Sequence, residues 1–186
     1  MTFLRFIQAP ALLALCAVPA AVRGGTYGPQ PFTSHAEGTT NLGDGTEIAS
    51  STGVCKVMGT TNRYLQLTQD TVGNTSSSFK LPDLDPGGVV ADLQITFNLY
   101  MAASGTPADG LSVNFGPIPA GNGAGEGGFA MAGGLSIGWD TYSNGAEAKS
   151  VEVFADGVSI ANFPMDFTPK FGRWTPVVIH WDEDGL

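Results

Sequence analysis

Residues 134–144 read Gly134-Leu135-Ser136-Ile137-Gly138-Trp139-Asp140-Thr141-Tyr142-Ser143-Asn144, and the two halves behave differently. In the first half Leu135, Ile137 and Trp139 alternate with Ser136, Gly138 and Asp140. A period of two is that of a strand with one buried face. The second half breaks the alternation, and the Asn144-Gly145 pair that follows marks a turn. The strand therefore delivers a carboxylate (Asp140), a stretch of turning backbone and an amide (Asn144) to one place. All three offer oxygen donors, and oxygen donors on a flexible loop suit Ca²⁺ better than a soft metal. Ordinary turns favour the same residue types, so this stretch alone does not separate a metal loop from a plain turn.

Outward from this strand the same period recurs. Residues 91–101 give the longest run: Leu93, Ile95, Phe97, Leu99 and Met101 form an apolar row, with Asp92, Gln94, Thr96, Asn98 and Tyr100 opposite. Leu111, Val113 and Phe115 resume the apolar row around Ser112 and Asn114. Residues 150–154 and 158–162 flank Asp156-Gly157, a tight hairpin signal. Residues 174–182 make a last long strand, and 54–58, 64–68 and 77–81 make shorter ones. Gly- and Pro-rich loops join them, notably 102–108 and 116–128. Long strands with one dry and one wet face belong to stacked sheets. The expected fold is an all-β, two-sheet antiparallel sandwich. Trp139, Trp174 and Trp181 lie in apolar rows and are read as core.

The chain has 186 residues, enough for one domain with a sizeable core, and its 26 glycines fit a protein of many turns. Its net charge of −9 argues against a nucleic-acid partner, which needs a basic patch to displace counterions from phosphates. Residues 1–24 have the form of a secretory signal: Arg5, an apolar run centred on Leu12, Leu13 and Leu15, then small residues. The run is short for a membrane span. Leu13-Ala14-Leu15-Cys16 is a poor lipoprotein box, because a bulky Leu15 precedes the cysteine. Cleavage after Ala20 or Gly24 removes Cys16 and leaves Cys55 alone, so no intrachain disulfide is expected. Asn74-Thr75-Ser76 matches a glycosylation sequon. Residues 25–44, with Pro29 and Pro31, read as an irregular lead-in, and 45–186 as the domain. Asp182-Glu183-Asp184-Gly185 opens a turn just before Leu186, so the sandwich is expected to be incomplete at its C-terminal end.

Two motifs together resemble a known family. Ala108-Asp109-Gly110-Leu111 opens one strand, and Trp139-Asp140-Thr141-Tyr142-Ser143-Asn144 closes the next. With a Gly-rich loop between them and a hairpin after, the arrangement resembles the L-type lectins, the concanavalin A-like jelly roll, in its bacterial secreted form. The resemblance spans residues 45–186 and is strongest over 91–162. It implies sugar contact by Asp109, by Asn144 and by a loop glycine, either Gly128 or Gly134. It implies a bound Ca²⁺ held by Asp140, the carbonyl of Tyr142 and Asn144, with Glu147 the one carboxylate near enough to add. It also implies a cis Ala108–Asp109 peptide. Legume lectins carry a transition-metal glutamate where this chain has Gly138, and their later histidine ligand has no counterpart, so no transition metal is expected.

These residue types suit a sugar. An ionised Asp109 accepts charge-assisted bonds from two hydroxyls. The Asn144 amide donates to a hydroxyl while its oxygen serves a cation. A glycine lets backbone approach the ring, and Tyr142 or Phe129 can cover its apolar side. The expected function is a secreted, calcium-assisted carbohydrate-binding domain without enzymatic activity. A surface or matrix module on the same fold, binding protein or nothing, is the alternative. A glycoside hydrolase is the third reading, but it needs paired carboxylates on one strand face. Glu152 and Asp156 have the right parity, yet Asp156 belongs to a turn. No Ser/His or Cys/His arrangement in triad order accompanies His35 or His180.

Overall fold

The computed structural model describes residues 24–88, 90–101, 109–117, 133–145, 148–165 and 172–182. Within them the chain is all-β: ten strands, several antiparallel sheets and no helix. The strands are β1 (Glu47–Ser50), β2 (Lys56–Met58), β3 (Tyr64–Gln66), β4 (Ser77–Lys80), β5 (Leu93–Tyr100), β6 (Gly110–Phe115), β7 (Leu135–Asp140), β8 (Ser150–Ala155), β9 (Val158–Pro164) and β10 (Trp174–Trp181). Pairing is not confined to two ladders. A four-stranded sheet runs β6-β7-β8-β9, and three separate pairs join β10 to β5, β1 to β4 and β2 to β3.

The four-stranded sheet is a meander of sequence neighbours. Its β8–β9 connection is the turn at Asp156-Gly157, where both residues have positive φ (49° and 78°). That backbone is the type I′ form whose twist matches the flanking strands. The β10–β5 pair is different, because it joins strands some seventy residues apart, in register from Trp174–Tyr100 to Trp181–Leu93. Its alternation is clean: Leu93, Ile95, Phe97 and Leu99 turn inward, while Gln94, Thr96, Asn98 and Tyr100 are exposed.

The two layers meet through their apolar rows. The Phe115 ring at the end of β6 lies 6.3 Å from that of Trp181 at the end of β10. The Phe115 end of the four-stranded sheet therefore meets the Trp181–Leu93 end of the pair. At the Phe115 end the layers leave a largely apolar cleft of about 490 Å³, lined by Leu93, Phe115, Leu135, Ala155 and Trp181 among others.

The lead-in, residues 25–44, contains no strand but is tied to the rest. Gly38 N–H donates to the Val57 carbonyl at 2.8 Å, and Val57 N–H to the Thr39 carbonyl at 2.9 Å. Tyr27 and Phe32 both pack edge-on against Phe79 of β4. Asp44 accepts from the Tyr27 hydroxyl (2.7 Å) and from the hydroxyl (2.6 Å) and N–H of Thr46. Val57 and Cys55 are almost wholly buried behind this segment. Burial pushes the Cys55 thiol up to about 11.

Candidate functional site

The end of the β6–β7 ladder gathers the first group of expected residues. Gly110 is the register partner of Asp140. One step beyond, the Asp109 carbonyl accepts two bonds from Thr141, one from its N–H at 2.9 Å and one from its hydroxyl at 3.0 Å. Thr141 is 1 % exposed, so these bonds are made away from water and pin the approach to β6 against the exit from β7. Asp109 itself is exposed. Its backbone is held while its carboxylate stands toward solvent.

Asp140 has the opposite situation. It is 2 % exposed, and its Oδ1 accepts the Tyr142 N–H at 2.9 Å. This is an Asx turn, in which a side chain replaces a backbone acceptor and starts the loop. Tyr142 and Asn144 follow on that loop, both exposed. The two acidic residues at this end thus divide between an accessible carboxylate and a buried one that shapes the loop.

The oxygens of Asp140, the Tyr142 carbonyl and the Asn144 amide are a hard donor set of the kind Ca²⁺ takes. Among the described residues no three His, Cys, Asp or Glu side chains come together as a metal group. A cation here would therefore rest on one described carboxylate and otherwise on neutral oxygens, which suits calcium held weakly rather than a transition metal.

Other expected residues lie elsewhere. Gly128, Glu147 and the Ala108–Asp109 peptide fall outside the described residues. Gly134 precedes the start of β7, whereas Asp140 ends it. Six strand steps at about 3.3 Å each separate them by roughly 20 Å. Gly134 is instead an anchor for the β8–β9 turn: its N–H donates to the Asp156 carboxylate at 2.9 Å and its carbonyl accepts the Asp156 N–H at 2.8 Å. Its φ is +84°, and a Cβ would fall 2.2 Å from the Phe115 carbonyl oxygen, so glycine is required for close approach. The large apolar cleft is at this same far end, away from Asp109 and Asp140.

Two residues gain importance that the strand pattern did not reveal. Thr141 is one. The other is Glu152 of β8, directly across from Gly138 and only 8 % exposed. Its Oε1 accepts from the Ser150 hydroxyl at 2.9 Å and from the Asn162 amide. Ser136 donates to Asn114, and Asn114 to Ser112, on the same face. The polar row of this sheet therefore carries two hydrogen-bonded clusters, Ser112–Asn114–Ser136 and Ser150–Glu152–Asn162, and Ser136, Asp140 and Ser150 are buried. Its signal in the sequence is small polar residues at alternate positions of consecutive strands.

Comparison with models of known protein families and with curated proteins gives no match to this chain. What the fold defines is an all-β protein of several antiparallel sheets with sandwich-like layering. Among the described residues, no helix is long and apolar enough to cross a membrane.

Proposed function

We propose that this chain is a carbohydrate-binding domain of the L-type lectin kind, a concanavalin A-like jelly roll acting outside the cell, with a calcium-braced rim at the β6–β7 end. The observation that carries the reading is the Asp109–Thr141 clamp beside Asp140. It sets an exposed carboxylate next to a loop built on a buried one. Asp109 accepts sugar hydroxyls, and Asn144 donates to another. Asp140, the Tyr142 carbonyl and Asn144 hold Ca²⁺, which orders the loop before the sugar arrives and so lowers the entropy lost on binding. Glu147 remains a candidate fourth ligand. Gly128 is the remaining loop glycine for a backbone contact to sugar, since Gly134 lies at the far end of β7.

The test is a glycan panel probed with the full chain in calcium and again in chelator. The reading expects calcium-dependent binding to at least one glycan and its loss in Asp109→Asn. Binding that ignores both calcium and Asp109 would exclude it.

One observation favours a second reading, a glycoside hydrolase. Asp140 and Glu152 are diagonal cross-strand neighbours on one face, because Asp140 pairs with Ser150. Two carboxylates on one strand face are what a glycoside hydrolase needs. Each accepts bonds from the scaffold, which suits a structural carboxylate better than a proton shuttle. Release of reducing ends from any panel glycan, abolished in Glu152→Gln, would establish the hydrolase instead.

A further inference from the structure

The outward face of the β5–β10 pair is not what apolar patterning predicts. Trp174, expected in the core, is 50 % exposed, and its register partner Tyr100 is 48 % exposed. Their rings are 5.5 Å apart at 55°. Trp174 also meets Tyr64 of β3, 5.6 Å away and edge-on at 64°. The indole thus touches two tyrosine rings yet shows half its surface to water. An aromatic held this way loses little freedom when something stacks on it.

The row continues along β5 as Asn98, Thr96 and Gln94, all exposed and all able to donate and accept. Neither β5 nor β10 contains a Lys or Arg. An aromatic platform beside neutral amides and a hydroxyl matches a pyranose chain, whose ring carries C–H groups on its flat side and hydroxyls around its edge. The C–H groups meet the electron-rich face of the indole, and the hydroxyls meet the amides. An anionic polysaccharide is disfavoured by the net charge of −9, although the exposed Arg173 directly precedes Trp174.

We propose that Trp174, Tyr100 and Asn98 form a second carbohydrate contact, taking a neutral, linear polysaccharide without calcium. It lies on the outer face of the β5–β10 layer and does not depend on Asp109 or Asp140.

The experiment uses the full chain in excess chelator, which silences the rim. The probes are immobilised β-glucan, xylan, mannan and chitin. Wild type is retained on at least one of them. Trp174→Ala lowers that retention by about tenfold or more. Trp174→Phe, which keeps an aromatic ring in place, lowers it less. Melting curves confirm that each variant is folded. Three results overturn the proposal: no retention on any probe, retention unchanged in both Trp174 variants, or a concentration-dependent dimer in sedimentation that Trp174→Ala dissolves. The last would assign the face to a second copy of the chain. Failure at the rim reads out separately, as the absence of any calcium-dependent binding that Asp109→Asn abolishes.

Discussion

Replacing Asp140 with asparagine separates the two tasks given to that residue. The buried carboxylate accepts the Tyr142 N–H through Oδ1. An asparagine keeps a carbonyl oxygen in that place, so the turn survives, but it removes the charge that attracts a cation. Calcium sites of the extracellular kind have dissociation constants of about 10⁻⁴–10⁻³ M. At about 10 mM calcium the native state then gains about 1.4–2.7 kcal/mol by mass action. For a chain of this size each kcal/mol moves the melting temperature by about 2–4 °C. Wild type should therefore melt about 3–11 °C higher in calcium than in chelator. Asp140→Asn should melt near the wild-type chelator value in both buffers. Asp140→Ala should fall below both, by about 1 kcal/mol, because it also removes the acceptor of the Tyr142 N–H. Differential scanning fluorimetry in matched buffers reads all three. A wild type indifferent to calcium, or an Asp140→Asn protein that keeps the calcium shift, would refute the reasoning.

Other consequences follow from particular contacts. Thr141→Val keeps the N–H bond to the Asp109 carbonyl and removes the hydroxyl bond; denaturant melts should show a loss of about 1 kcal/mol, with weaker glycan binding because the strand carrying Asp109 is less firmly held. The Thr46 hydroxyl and the Tyr27 hydroxyl hold the Asp44 carboxyl at about 2, below its ordinary 3.8. A depressed folded value means the contribution is complete above about pH 4 and disappears as pH falls through about 2. An acid titration followed by Tyr27 fluorescence should show the lead-in loosening in that window, and Asp44→Asn should abolish the dependence. Cys55, buried with its thiol raised to about 11, should resist thiol reagents at pH 8 in the native protein and react once denaturant is added; rapid native labelling would contradict its burial.

The fold was legible wherever one face meets water and the other meets core. β5 and β10 emerge within a residue or two of the alternation that announces them, and the Asp156-Gly157 turn follows from residues that tolerate positive φ. β1 was not anticipated, because Glu47-Ile48-Ala49-Ser50 is too short and mixed to show a period, and it exists through its partner β4. The division into four sheets was not legible either, since pairing between distant strands leaves no mark in a single sequence. The lead-in looked like a linker by composition, yet Tyr27 and Phe32 dock on Phe79.

At the site, the pairing of Gly110 with Asp140 follows the order of the two motifs. The loop glycine was harder. Gly134 carries the residue type that a sugar contact needs, but its positive φ serves the Asp156 turn instead. Trp174 misled for a related reason: an apolar row says which residues share a face, not which face is covered.

The proposed recognition of a sugar at one end of the β6–β7 ladder is tested most directly by amide chemical-shift mapping with calcium and a bound glycan. Shifts should concentrate at Asp109, Thr141, Tyr142 and Asn144, with the Phe115–Leu135 end unmoved. Shifts gathered at Phe115, Leu135 and Ala155 around the apolar cleft, with Asp109 and Tyr142 silent, would contradict it.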